Sequence, residues 1–153
     1  MEGKIRFNHI ALTLPYGTLK ANRADFENFY SGILGADVFG YGDSDSTLVI
    51  SFDEGFPSQS IVLNEGADFM VAKGFDHIGL EYQTFSEVDS VIAECRYFRR
   101  QDDRIEIGEI INQQDDGYRY RACYVRYLLP MQLDIQAIQW DSGKKPKQWK
   151  YDA

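Results

Sequence analysis

The sequence predicts an α+β fold made of two repeated β-α-β-β-β modules. Three observations carry this. Phe7-Asn8-His9-Ile10-Ala11-Leu12 recurs as Phe75-Asp76-His77-Ile78-Gly79-Leu80. Both fit Phe-x-His-Ile-x-Leu, and the chain's two histidines stand at the same place in them. The second copy starts a little under half way along 153 residues, and a motif recurring at that interval marks two similar modules. Each copy is then followed by an apolar stripe at helical spacing, and each stripe by three strand-like segments. Module one covers 5–65 and module two 74–140 of a single domain over residues 1–140. Residues 141–153 form a polar tail.

The two copies read as strands. Side chains alternate across a strand, so Phe7, His9, Ala11 and Thr13 share one face, and Asn8, Ile10, Leu12 and Leu14 the other. In the second copy Phe75, His77, Gly79 and Glu81 alternate with Asp76, Ile78, Leu80 and Tyr82. Each face carrying a histidine also carries small or polar groups. Each opposite face carries Ile-x-Leu, suited to packing under a helix.

Pro15-Tyr16-Gly17 ends the first strand. Asn22 is the expected N-cap of a helix whose stripe is Phe26, Phe29, Tyr30 and Ile33, and Gly35 is its expected stop. Strands follow at about 36–41, 47–52 and 58–64, separated by turn residues at 42–45 and 53–57. In module two, Ser86 and Asp89 resemble a capping box. Val88, Val91, Ile92, Cys95 and Phe98 form the helical stripe, and strands are expected at 104–111, 118–127 and 131–138. Gln113-Gln114-Asp115-Asp116-Gly117 reads as a turn. The tail is expected to be loose unless Trp140 or Trp149 pins it.

Composition narrows the function. A formal net charge of −8 repels phosphate backbones and argues against nucleic-acid partners. No apolar run reaches membrane-spanning length, and no signal-peptide pattern opens the chain, so no membrane partner is expected. Cys95 and Cys123 lack C-x-x-C spacing and read as buried thiols in a reducing, cytoplasmic compartment. Ten Tyr and ten Phe are enough to furnish a core and line a binding site as well.

Two β-α-β-β-β modules that each open on a histidine strand resemble the vicinal-oxygen-chelate superfamily. That group takes in glyoxalases, extradiol dioxygenases and the fosfomycin- and bleomycin-resistance proteins. The resemblance rests on residues 7–12, on Phe29-Tyr30-Ser31-Gly32-Ile33-Leu34-Gly35 and on residues 75–80, in that order and spacing. It implies that the modules form a curved mixed sheet around a central cavity. It also implies one divalent metal held by the first and fourth strands of each module, a small-molecule substrate and a homodimer.

Placed on this sequence, the resemblance makes His9, His77 and Asp134 the metal ligands. Alternation in the last strand agrees: Met131, Leu133, Ile135 and Ala137 form an apolar face, so Gln132, Asp134 and Gln136 face inward. Two imidazoles and a carboxylate suit Fe, Mn, Co, Ni or Zn, and ligand type does not choose among them. Ser60 stands near a fourth-ligand position and, with Gln132 and Gln136, is expected to line the pocket. Glu81 shares the His77 face, as either a general base or a solvated strand end. Tyr118, Tyr120 and Tyr124 share a strand face, and Tyr120 reads either as a sheet-packing residue or as a phenol that polarises substrate.

Leu128-Leu129-Pro130 replaces the family's Asp-Pro-Asp-Gly-like turn, and no further histidine remains for acid–base work. The expected activity is that of a glyoxalase-like lyase or isomerase, or of an extradiol-type dioxygenase, on a substrate chelating the metal through vicinal oxygens. The alternative is a metal-free binding protein of the bleomycin-resistance type.

Overall fold

In the computed structural model, residues 7–42, 46–53 and 59–146 are described. Turn residues 43–45, segment 54–58 and Trp149 lie outside them, as does the start of module one at residue 5. The chain forms two compact units. Met1–Asp76 with Tyr127–Met131 make the first, and His77–Arg126 with Gln132–Ala153 the second.

In the first unit β1 spans His9–Leu14, β2 Asp37–Gly40, β3 Thr47–Ser51 and β4 Ser60–Glu65. They form one mixed sheet in the order β1-β4-β3-β2. β1 and β4 are parallel, with His9 opposite Ser60 and Ala11 opposite Val62; the other pairs are antiparallel. Alternation sends Leu12, Leu48, Ile50, Ile61 and Leu63 to one face, and all are buried. Each contributes about 1.5–3 kcal/mol by leaving water. His9, Ala11, Thr13, Ser60, Val62 and Asn64 take the opposite face by register.

The helical segment of this unit starts earlier than expected. α1 spans Thr18–Ala21, α2 Arg23–Phe26, and a π-helical turn Glu27–Ser31. Asn22 is not a side-chain cap, because its Nδ2 donates to Thr18 O at 2.8 Å instead. The first amides are met by Glu65 at the end of β4, which accepts from Gly17 N at 2.9 Å and Leu19 N at 2.6 Å. The π turn is closed by Gly32 N donating to Glu27 O, and a Cβ on Gly32 would meet Asn28 O. The turn carries Phe29 and Tyr30 fully into the core with Phe26. Tyr30 Oη donates to Tyr127 O at 2.6 Å, and the Phe29 and Tyr127 rings lie 4.7 Å apart. The chain therefore lends Tyr127–Met131 to this unit. Gly35, in the left-handed region at φ 70°, stops the segment as expected.

In the second unit β5 spans His77–Tyr82, α3 Phe85–Phe98, β6 Glu106–Ile107, β7 Ile111–Asp115, β8 Tyr118–Arg126 and β9 Gln132–Trp140. The sheet runs β5-β9-β8-β6, and β7 also pairs β8. Here β5 and β9 are the parallel pair. Val88, Ile92 and Cys95 of α3 are buried, as are Leu133, Ile135, Ala137, Cys123 and Val125 on one sheet face. Both cysteines are buried free thiols, and burial pushes the Cys95 thiol up to about 12.

Three details differ from the sequence reading. The capping box is Thr84 with Glu87, not Ser86 with Asp89: Glu87 N donates to Thr84 Oγ1 at 3.2 Å and Thr84 N to Glu87 Oε2 at 2.7 Å. Asp89 is drawn off to Arg121 at 2.6 Å. The strand expected at 104–111 is two strands. Ile107 stands opposite Val125, but Ile111 stands opposite Ala122, so one extra residue is accommodated between them as a bulge. The bulge turns Ile111 to the face opposite that of Ile107. The turn expected at 113–117 shrinks to Asp116 and Gly117, a two-residue hairpin with Gly117 at φ 93°, and Gln113, Gln114 and Asp115 join β7. Trp140 closes β9 with its ring 5.1 Å from Tyr118. Among the described residues no helix is long and apolar enough to cross a membrane.

Glu65 joins strand end to helix start through two charge-assisted hydrogen bonds, so Glu65→Ala should destabilise the protein by about 1–2 kcal/mol. Denaturant titration measures this. A loss below experimental error would mean that water replaces the carboxylate without cost.

Candidate functional site

The second unit assembles the site on the sheet face turned away from α3. Parallel pairing sets His77 opposite Gln132, Gly79 opposite Asp134 and Glu81 opposite Gln136. The antiparallel pair sets Tyr124 opposite Asp134, Ala122 opposite Gln136 and Tyr120 opposite Ile138. Paired residues share a face, so His77, Glu81, Tyr120, Gln132, Asp134 and Gln136 lie together, as the alternation predicts. His77 and Glu81 are exposed; Gln132, Gln136 and Tyr120 are half-buried.

Asp134 is 5% exposed, and its Oδ1 has no hydrogen-bond partner among the described residues. A carboxylate held this way costs free energy until something positive or hydrogen-donating meets it. Burial raises its pKa above the usual carboxylate value, and the nearby His77 acts in the opposite direction. The His77 ring meets the Tyr124 ring edge-on, with centroids 5.2 Å apart and planes at 75°. The Tyr124 phenol is pushed up by burial first and then by the Asp134 charge. The Tyr120 phenol is raised by burial, Asp134 and Asp115. Both therefore remain protonated donors at neutral pH.

His9 and Ser60 are neighbours in the first unit. His9 is exposed and its Nδ1 lies 2.7 Å from Asn8 Oδ1, so donation to that oxygen leaves Nε2 as the lone-pair nitrogen. Ser60 is buried. By register Ser60 matches Gln132, each opposite its histidine, and Val62 matches Asp134. The modules thus share a scaffold, and only the second carries a carboxylate at that point. Among the described residues no three His, Cys, Asp or Glu side chains are grouped to hold a metal ion.

Two further residues belong to this surroundings. Tyr124, rather than Tyr120, touches His77 and stands opposite Asp134; its place depends on cross-strand register, which alternation within one strand does not give. Asn8 orients His9, and its adjacency in sequence was the available signal.

As to known proteins, no family model and no curated protein sequence matches the chain. Solved structures do. A glyoxalase family protein from Bacillus anthracis aligns over 91% of this chain and 100% of its own, at 14% identity and a TM-score of 0.58. The fold is the α+β glyoxalase-like fold. A glyoxalase/bleomycin resistance protein/dioxygenase from Nocardioides aligns over 98% of this chain and 93% of its own, at 17% identity and a TM-score of 0.57. The fosfomycin resistance protein FosX from Listeria monocytogenes was solved with Mn(II) and a dihydroxypropylphosphonic acid. It aligns over 94% of this chain and 96% of its own, at 16% identity and a TM-score of 0.58.

The buried carboxylate yields a pH signature. Because the folded-state pKa of Asp134 is raised, the burden it places on the metal-free fold is full above that pKa and absent below its unfolded value of 3.8. In chelator, Asp134→Asn should match or exceed the wild type in melting temperature at neutral pH, by an amount on the order of 1 kcal/mol. The difference should close as pH falls towards 4. A wild type more stable than Asp134→Asn at neutral pH, with the advantage lost as pH falls, would show that Asp134 is paired in solution.

Proposed function

We propose that the protein is a metal-dependent enzyme acting on a small substrate that presents two neighbouring oxygens. The supporting observation is the buried Asp134 Oδ1, without a hydrogen-bond partner among the described residues, beside His77. His77 and Asp134 suit one divalent first-row ion in donor type, and the sequence resemblance adds His9 as a further donor. When bound, such an ion polarises the chelating oxygens and stabilises negative charge that develops on them.

The chain's own residues have distinct parts. Tyr124 packs against His77 and fixes the orientation of its ring. Gln132 and Gln136 offer amides on the same face to orient substrate, Glu81 offers an exposed carboxylate to take up a proton, and the neutral Tyr120 phenol can donate to a substrate oxygen. Lyase or isomerase chemistry needs one such base, and Glu81 supplies it, whereas Asp134 is committed to the ion. The Mn(II) in FosX agrees with a divalent ion in this fold. A homodimer in the cytoplasm completes the proposal, with light scattering as the test of the dimer.

One observation favours a second reading. Tyr120 and Tyr124 share the face of His77 and Asp134, which suits a metal-free protein that holds an aromatic ligand.

Elemental analysis of the purified protein, followed by Mn²⁺ titration of the chelator-treated form, separates the two. The enzyme reading expects one ion per chain. It also expects His77→Ala and Asp134→Asn each to weaken binding by about 100-fold or more while circular dichroism stays that of the wild type. Absence of any first-row metal after reconstitution would hand the site to the binding-protein reading.

A further inference from the structure

The Gln136 side chain does not stay in its own row. A Cβ on Gly79 would stand 3.0 Å from Gln136 Nε2, so the amide lies over the glycine. Gly79 is opposite Asp134, whereas Gln136 is opposite Glu81, two residues further along. The side chain therefore leans back along β9, over the roughly 7 Å that separates residues two apart on a strand, to the row of Asp134.

The first unit shows what holds such an amide elsewhere. Asn64 matches Gln136 by register, and its Oδ1 accepts from Thr47 Oγ1, opposite on β3, at 3.1 Å. The residue opposite Gln136 on β8 is Ala122, which has no polar group to offer. Ala11 matches Gly79, so the first sheet has a side chain where the second leaves room for an amide.

Two side chains are thus directed to the Asp134 row from its two sides. His77 reaches across β9 with its ring against that of Tyr124, and Tyr124 is the β8 residue opposite Asp134. Gln136 comes from the other side, over Gly79. Asp134 is 5% exposed, and its Oδ1 takes a hydrogen bond from neither of them nor from any other described residue. A buried carboxylate left open between an imidazole and an amide lacks a guest that suits all three, and a metal cation accepts each of these donors. No third His, Cys, Asp or Glu joins the group among the described residues, and an amide oxygen makes a third unnecessary.

We propose that Gln136 is a third protein ligand of the ion. Its Oε1 joins His77 and Asp134, so the second unit supplies three donors by itself, and Gly79 lacks a Cβ in order to admit the amide. A half turn about the last side-chain bond brings either end of the amide forward. Two oxygens and one nitrogen favour a hard ion of the Mn²⁺ kind. Gln132 is left as the amide that orients substrate. The inference rests on the reading that an ion binds at His77 and Asp134, and it adds a ligand that the resemblance does not give.

Mn²⁺ alone is the probe, titrated calorimetrically into the chelator-treated full-length protein. Gln136→Leu should weaken binding by about tenfold or more, with circular dichroism unchanged. Gly79→Ala pushes the amide aside and should weaken binding about threefold, with no further loss in the Gln136→Leu background. Gln136→Glu returns an oxygen at the same reach without the N–H donor, and should bind at least as tightly as the wild type. If Gln136→Leu does not fold, Gly79→Ala and Gln136→Glu decide.

Wild-type affinity in Gln136→Leu, weakened binding in Gln136→Glu, or a Gly79→Ala loss that persists without Gln136 overturns the inference and leaves the metal reading standing on His77 and Asp134. A wild type that binds no Mn²⁺ overturns both.

Discussion

The candidate site depends on one register, that of β5 against β9. Leu133, Ile135 and Ala137 bury their side chains on the α3 face and fix which residues of β9 turn the other way. A slip of one residue would drive Asp134 under the helix and set Leu133 and Ile135 on the open face. Three buried apolar side chains, worth several kcal/mol between them, resist that slip. The orientation of the carboxylate is thus a consequence of core packing rather than of any bond the carboxylate makes. That explains how an acid can stay buried with an oxygen unpartnered.

The first unit repeats this scaffold without repeating its chemistry. β1 and β4 pair in the same parallel sense, and the histidine is again set opposite a polar residue of the fourth strand. At the position matching Asp134 stands Val62, half-buried. The two sheets share an apolar face and differ in the chemistry of the other.

Much of this was legible in the sequence, because burial on one face writes itself as alternation. The repeated Phe-x-His-Ile-x-Leu, the stripes at Phe26 and Val88, and the inward set Gln132, Asp134 and Gln136 all follow from period alone. What escaped depends on partners distant in the chain. The first helical amides are met by Glu65, which no local pattern reveals. The cap is an exception, because Thr84-x-x-Glu87 fits the capping-box pattern and Ser86-x-x-Asp89, whose acid pairs with Arg121, does not. The bulge between Ile107 and Ile111 changes parity within a run that looks continuous. Tyr124 and Tyr120 are equivalent within their strand and differ only in what β9 sets opposite them.

The segment Tyr127–Met131 has a bearing on how the chain acquires its structure. Tyr127 is buried in the first unit, against Phe29 and under the Tyr30 hydroxyl, yet it follows the first strand of that unit by more than a hundred residues. During synthesis the N-terminal sheet must wait, with Phe29 lacking its partner ring and the Tyr30 hydroxyl its acceptor, until most of the second module has been made. Closing so long a loop delays that contact relative to the local hairpins. The N-terminal sheet is therefore translated ahead of the second yet waits for Tyr127–Met131, and the exposed aromatic surface it carries in the interval is the stretch of its history in which association with other nascent chains is easiest.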